Sequence, residues 1–206
     1  MRTGEVFALT WNDIDLENKI IKINKTVYAK DKESNGRWYF GTTKTEGSSR
    51  EIYICDTLYK KLLDYQKIQN KYKKQYGRKY KSYYLKPVKN KYGKLIEYKV
   101  TNGKSKYNNV DMVFTRKNGH YAGTDISKYP FKIIHHELGF NCRFYDLRGS
   151  FATVSLRSGC EIKDIAEILG HKRVETTERY YITSENNDKR EVIEKFEKSI
   201  CTNIKL

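Results

Sequence analysis

The sequence predicts an α+β fold, a mostly helical domain with a small antiparallel three-stranded sheet near its N-terminus. Strand-like runs with alternating apolar residues occur early in the chain, and apolar residues spaced three and four apart dominate after residue 127. Of the 206 residues, 38% are hydrophobic and 14% are aromatic, which is enough for one compact domain. We therefore expect residues 1–206 to form a single domain.

The first elements are a short helical segment and three strands. Residues 3–10 have helical apolar spacing and are typical of the end of a helix. Strand-like runs follow at residues 19–28, 37–42 and 50–54, and residues 43–49 are rich in turn formers. The last two strands are therefore predicted to be joined by a hairpin tip at residues 43–49.

Most of the remaining chain is predicted to be helical. A helix should begin near Asp56 and stop at Gly77, residues 78–109 predict loop with short strands, and residues 110–115 predict a strand. Further helices are predicted at residues 127–138, from Phe144 up to Gly159, from Ile162 up to Gly170, and at residues 175–181 and 188–200.

Positive charge is concentrated in one quarter of the chain. The whole sequence has 41 Lys and Arg against 25 Asp and Glu, a net charge of +16. Residues 58–109 hold 16 of those cations with only two acids, and ten tyrosines lie among them. A polyanion such as DNA fits this segment, although a solvated lysine face on a surface helix is the alternative. The candidate DNA-binding residues are Lys60, Lys67, Lys71, Lys74, Arg78 and Lys79.

Other classes of protein find little support in the sequence. No stretch approaches the roughly 18 apolar residues of a membrane helix, and residues 1–10 lack the apolar run of a secretion signal, so we expect a cytoplasmic protein without a membrane partner. The four cysteines contain no CxxC pair, and the four histidines have no ligand spacing. We therefore expect neither a disulfide framework nor a metal.

One candidate site residue is Arg148, in the run from Phe144 to Thr153. In a helix Tyr145 and Arg148 share one face, whereas Phe144, Leu147 and Phe151 should define the buried face. A guanidinium is suited to hold two oxygens of a phosphate. Taken alone, however, such an arginine could equally pair with a nearby acid on the surface.

Three further segments carry candidate residues. His171 follows Leu169-Gly170 just past a predicted helix end, and Tyr180 comes nine residues later. Lys44 lies in the predicted hairpin tip, where a lysine can reach over a groove. Arg2 opens the first amphipathic turn, and Glu5 is placed to pair with it.

Taken in order, these pieces resemble the catalytic domain of the tyrosine recombinases, the phage and conjugative-element integrase family. The resemblance runs from Arg2 to Tyr180. It implies that Arg2 and Arg148 are the two catalytic arginines, Lys44 the hairpin lysine, His171 the histidine of the LGH step, and Tyr180 the nucleophile. Double-stranded DNA is the implied substrate, cleaved through a 3′-phosphotyrosine without metal or cofactor.

One position departs from the family pattern. Tyr145 stands where the family usually has the histidine of its HxxR motif. A phenol can donate a hydrogen bond to a phosphate oxygen but is a poor general base at neutral pH. We therefore expect a working but altered site.

The resemblance also bears on assembly. The family's C-terminal segments pack on neighbouring subunits in a tetramer, and residues 188–200 carry an apolar stripe that must be buried on its own domain or on a neighbour. The family's N-terminal DNA-binding domains have no counterpart in residues 1–206, so we expect this segment alone to bind DNA weakly. Two alternatives stay open: a non-catalytic helix-turn-helix protein, since residues 162–170 resemble the start of that motif, and a type IB topoisomerase-like enzyme.

Overall fold

Helices and antiparallel strands build the domain, as a computed structural model shows. It describes residues 1–30, 38–42, 49–103, 106–107 and 109–171. The helices in this part of the chain are α1 (Thr3–Phe7), α2 (Asp56–Tyr76), α3 (Lys128–Leu138), α4 (Asp146–Arg157) and α5 (Ile162–Leu169). The strands are β1 (Ile14–Asp15), β2 (Ile20–Ile23), β3 (Lys25–Ala29), β4 (Trp38–Thr42), β5 (Arg50–Tyr53), β6 (Tyr83–Lys89), β7 (Leu95–Asn102) and β8 (Asn109–Val110). The predicted mixture of helices and antiparallel strands is confirmed.

The strands form two sheets, which corrects the predicted pairing. One sheet has the order β1-β2-β5 and the other β3-β4-β7-β6-β8. The run at residues 19–28 is therefore two strands that separate at the exposed Asn24, and the strand after it pairs with β3 in the larger sheet. The physical reason is that Ile21 and Ile23 pack in one apolar cluster while Val27 packs in another.

The larger sheet contains a hairpin of two long strands where loop with short strands was predicted. Strands β6 and β7 pair along most of their length, and Leu85 lies opposite the buried Val100. Lys86 and Lys99 also face each other across this pair. A high density of lysine and a proline at position 87 hide the period-two alternation in the sequence. The strand predicted at residues 110–115 is shorter, because β8 ends at Val110.

The helix ends agree well with glycine positions. As predicted, α2 stops at Gly77, α3 at Gly139 and α5 at Gly170, each with a positive φ that favours glycine. The first segment differs, because α1 begins rather than ends there. Arg2 is extended at the N-cap, and its backbone N–H donates to the Glu5 carboxylate at 2.7 Å.

Helices α4 and α5 pack together with the opposite face of α4 from the one predicted. Ala152 is fully buried against Ile165 and Leu169. Arg148, one turn before Ala152, is buried on that same face at 4% exposure. Of the three residues predicted to be buried, Phe144 packs on a core cluster, whereas Leu147 and Phe151 are exposed at 55% and 42%. The small Ala152 lets α5 approach closely, which buries the arginine and leaves the apolar stripe of α4 at the surface.

Some predicted features lie outside the described residues. These are the hairpin tip with Lys44, the helices at residues 175–181 and 188–200, and Tyr180 within the first of these helices.

Candidate functional site

The centre of the site is the C-terminal end of α5. The last carbonyl groups of a helix have no partner within the helix and carry a partial negative charge, so they attract cations. Three arginines from three different elements use them: Arg50 Nε donates to Ile168 O at 2.7 Å, Arg148 Nη2 to Leu169 O at 2.5 Å, and Arg2 Nη2 to Gly170 O at 3.1 Å. The three consecutive carbonyl groups of residues 168–170 thus bind three arginines that are distant in sequence.

Gly170 makes this gathering possible. Its φ of +68° ends the helix in a left-handed conformation that other residues rarely adopt. A Cβ at this position would lie 2.8 Å from Arg50 Nη1, closer than real Cβ atoms come. The glycine therefore ends α5, lets a guanidinium lie directly on the turn, and leads the chain to His171.

A buried carboxylate joins two of the arginines. Glu5 is 3% exposed and accepts hydrogen bonds from Arg2 Nη1 at 2.8 Å and Arg50 Nη2 at 2.8 Å. Burial disfavours the charged carboxylate, but the hydrogen bonds from Arg50 and Arg2 outweigh it and lower the pKa of Glu5 to about 2. Glu5 is therefore ionised at neutral pH and fixes both guanidinium groups.

Arg148 differs from the other two arginines because part of it has no partner. Its Nε and Nη1 are buried and have no hydrogen-bond partner among the residues that the structure describes. An unsatisfied buried donor costs about 1–3 kcal/mol. Burial, and then the nearby charge of Arg2, also lower the pKa of Arg148. The cluster of three guanidiniums and one carboxylate carries a net positive charge, so these donors suit an anion.

His171 follows the helix end directly, and its backbone N–H donates to Ala166 O at 2.9 Å. Partial burial of the imidazole, and then the positive charges of Arg148, Arg2 and Arg50, lower the pKa of His171 to about 4. The ring is therefore neutral at pH 7. A neutral imidazole can donate from one nitrogen and accept a proton on the other.

The structure brings together three of the six predicted site residues: Arg2, Arg148 and His171. Tyr145 lies at the N-terminal end of α4 with 42% of its surface exposed and lines a neighbouring cavity of about 610 Å³ with Phe131 and His135. Its phenol also interacts electrostatically with Arg148. Lys44 and Tyr180 lie outside the described residues.

Sequence reasoning missed Arg50, although a signal was present. Side chains two residues apart in a strand lie on the same face of the sheet. Arg50 therefore lies on the same face of β5 as Ile52 and Ile54, which is the apolar face. A cation on the core face of a strand needs a buried partner. Glu5, which was expected to pair with Arg2, is that partner.

The predicted DNA-binding cations lie away from this cluster, on α2 and the short 3₁₀ helix after it. All six are exposed. Four of them, Lys60, Lys67, Lys71 and Lys74, are spaced by seven, four and three residues and form one stripe along α2. Leu62 and Tyr65 of the same helix pack on the apolar cluster under β2 and β5. The stripe is therefore the solvent face of a helix whose other face is anchored.

An apolar groove of about 640 Å³ borders Arg148. Its apolar lining includes Val6, Ile52, Phe144, Leu147, Phe151 and Ile168. No helix in the described ranges is long and apolar enough to cross a membrane. Within the same ranges, no group of three or more His, Cys, Asp and Glu could hold a metal ion.

The helices and the two sheets have the fold of solved structures of a transposon integrase and a recombinase. The chain belongs to the phage integrase family, which matches residues 1–187. The resemblance drawn from the sequence is thereby confirmed.

Individual relatives agree with this assignment. A XerC-like tyrosine recombinase from Caldanaerobacter subterraneus subsp. tengcongensis is 26% identical over 187 residues, which are 88% of this chain and 42% of that protein. The integrase of Staphylococcus phage L54a is 42% identical over 73 residues, which are 34% of this chain and 20% of that protein. The chain thus spans less than half the length of these relatives.

Solved structures share the fold. The Tn1549 transposon integrase in complex with transposon right end DNA has a TM-score of 0.63 and 19% identity, over 95% of this chain and 54% of that chain. A crystal structure of XerA recombinase has a TM-score of 0.54 and 20% identity, over 95% of this chain and 53% of that chain.

Proposed function

We propose that this chain is the catalytic domain of a site-specific DNA recombinase. The observation that carries the proposal is the buried Arg148, which keeps two donors without a described partner beside Arg2 and a neutral His171. A phosphodiester of DNA supplies the anionic oxygens that such donors require. Family membership supports the same reading.

In the proposed reaction the phenol oxygen of Tyr180 attacks a phosphodiester. A bond forms between that oxygen and phosphorus, and the bond from phosphorus to the 5′ oxygen breaks, which leaves a 3′-phosphotyrosine. His171 assists transfer of the phenol proton, and Lys44 protonates the departing 5′ oxygen. The covalent intermediate conserves the bond energy, so rejoining needs no ATP.

The arginines supply the electrostatic part of catalysis. Negative charge grows on the non-bridging oxygens in the transition state, and Arg2 and Arg148 neutralise it from positions already fixed by α5. Removal of one such donor typically slows a reaction about 10²- to 10³-fold. Tyr145 takes the place of a further donor to a phosphate oxygen. The chemistry needs no metal or cofactor, because the two guanidiniums provide the positive charge.

A nicked suicide duplex tests the proposal. Duplexes built from the DNA flanking the gene that encodes this chain are incubated with it at protein concentrations that saturate DNA binding, because the segment alone is expected to bind weakly. The protein is then examined for a covalent adduct by denaturing electrophoresis. We expect an adduct with the wild type and none with Tyr180→Phe. Tyr181→Phe is the matched control, since it removes the neighbouring phenol and should retain the adduct. Failure of the wild type to form any adduct with these duplexes would contradict the proposal.

The same duplexes separate recombination from the alternatives. A helix-turn-helix protein would bind the duplex without an adduct. A topoisomerase-like enzyme would relax a supercoiled plasmid that lacks the flanking sequences, whereas a recombinase should form adducts only with its own site.

Double-stranded DNA is the proposed partner, bound through the exposed cations of α2 and residues 77–79, and the proposed location is the cytoplasm.

We also propose that residues 188–200 of one copy pack in the apolar groove beside Arg148 of another, giving a homotetramer on DNA. The groove is exposed and apolar, and the segment carries Val192, Ile193, Phe196 and Ile200 on one helical face. Residues 1–206 would then form one domain with a tail.

A further inference from the structure

Arg50 stands apart from the exposed cations of the chain. Its side chain is only 7% exposed, although it begins a strand at the surface. Its Nη1 and Nη2 donate to the two carboxylate oxygens of Glu5 at 3.2 and 2.8 Å, and its Nε donates to Ile168 O at 2.7 Å. This two-pronged pairing is among the strongest that a guanidinium makes.

Arg50 and Arg148 differ in how many of their nitrogens donate hydrogen bonds to the protein. Arg148 keeps two buried donors without a described partner, whereas all three nitrogens of Arg50 donate to groups of the protein itself. Three of the five N–H donors of Arg50 are therefore committed to groups of the protein, including both oxygens of one carboxylate. Arg50 is suited to hold other groups in place.

The groups that Arg50 holds are those that set the site. Glu5 fixes the guanidinium of Arg2, and the end of α5 seats Arg2 and Arg148 and leads to His171. A Cβ on Gly170 would collide with Arg50, which shows how closely the guanidinium lies against this turn. One side chain thus connects α1, β5 and the end of α5.

We propose that Arg50 is a positioning residue for DNA cleavage, holding Glu5 against the end of α5 so that Arg2, Arg148 and His171 face one phosphate. This inference rests on the proposed recombinase function. A shift of about 1 Å in a catalytic group can lower a rate about 10²-fold. The effect of replacing Arg50 should therefore fall on the rate of cleavage rather than on DNA affinity.

Single-turnover cleavage of the suicide duplex tests the inference with Arg50→Lys, Arg50→Gln and Glu5→Gln. Lysine keeps the charge but cannot span Ile168 O and both Glu5 oxygens. We expect Arg50→Lys to lower the cleavage rate about 10- to 100-fold and to change the DNA dissociation constant less than about threefold. Arg116→Lys, a change at an exposed arginine, is the control and should cleave like the wild type.

A double substitution tests whether Arg50 acts through Glu5. If it does, Glu5→Gln combined with Arg50→Gln should cleave no more slowly than the worse single variant. Additive decreases in rate would overturn the inference. So would a decrease in affinity that matches the decrease in rate, because it would make Arg50 a phosphate contact.

The pKa of His171, measured by NMR without DNA, gives a readout independent of cleavage. The charges that face His171 are Arg148 on α4, Arg2 before α1 and Arg50 on β5. Removing the Arg50 charge should raise the pKa of His171 in Arg50→Gln, whereas Arg50→Lys should stay near the wild-type value. An unchanged pKa in Arg50→Gln would overturn the placement of Arg50 even if the wild type forms no adduct. If Arg50→Gln fails to fold, the test rests on the cleavage rate and the DNA affinity of Arg50→Lys. An Arg50→Lys variant that cleaves at the wild-type rate would then overturn the inference.

Discussion

Arg148 shows how the proposed function opposes stability at a single residue. It is 4% exposed, and two of its donors have no described partner. A buried charge without full pairing lowers the free energy of unfolding, and replacing it with an apolar side chain of similar volume is often neutral or stabilising. We therefore expect a buried arginine with unsatisfied donors to bind a ligand.

The variant Arg148→Met separates the two roles. We expect the free energy of unfolding, measured by urea titration, not to fall and to rise by up to about 2 kcal/mol, because the unsatisfied donors disappear. The same variant should cleave the suicide duplex at least about 10²-fold more slowly.

The exposed Arg116→Met is the control for Arg148→Met and should change neither quantity. A fall in the free energy of unfolding of Arg148→Met below that of the wild type would instead assign Arg148 a structural role.

At the residue level, the sequence motifs pointed to side chains that the fold brings close together. Arg2, Arg148 and His171 were identified from sequence and lie together in the structure. The burial of Arg148 was not foreseen, because the apolar side chains of α4 were expected to face the core. Ala152 decides the packing instead, and a small side chain gives a weak signal in the sequence.

At the scale of elements, local signals were reliable and distant ones were not. The ends of α2, α3 and α5 depend on one glycine each, so the sequence predicts them. Strand pairing depends on the apolar cluster in which each side chain packs. The local sequence pattern does not predict that cluster. The chain therefore divides residues 19–28 between two sheets and pairs β6 with β7 inside a lysine-rich stretch.

The lysine stripe of α2 gives a prediction at the same scale. Removing one lysine that neutralises a phosphate should reduce the slope of log K against log salt by about 0.9. Replacing Lys67, Lys71 and Lys74 with Gln should therefore reduce the slope by about 2 to 3, measured by fluorescence anisotropy on a labelled duplex at several salt concentrations.

A matched control for the stripe removes the same charge elsewhere. Lys19, Lys22 and Lys128 lie at the surface but are paired with Asp56, Glu51 and Asp125. Replacing these three with Gln should leave the slope nearly unchanged. Equal slopes in the two triple variants would show that net charge, not the stripe, governs binding.

At the scale of the molecule, the site lies where separate parts of the fold meet. Arg2 and Glu5 come from the start of α1, Arg50 from the smaller sheet, and Arg148 from the helix pair α4 and α5. None of these parts contains the site alone. The groove beside Arg148 lies at the same meeting point, since α4, α5 and β5 all line it. A segment bound in the groove would therefore touch the elements that hold the proposed catalytic groups.

This arrangement links assembly to chemistry and gives the last prediction. If residues 188–200 of one copy occupy the groove of another, Phe196→Glu should reduce tetramer formation on DNA, measured by light scattering coupled to gel filtration, because a carboxylate cannot enter an apolar groove without a large desolvation cost. Lys195→Glu changes charge on the polar face of the same predicted helix and should assemble normally. The proposal of packing between copies would be wrong if Phe196→Glu lowered the free energy of unfolding of the monomer but left the tetramer intact, since that result indicates packing within one copy.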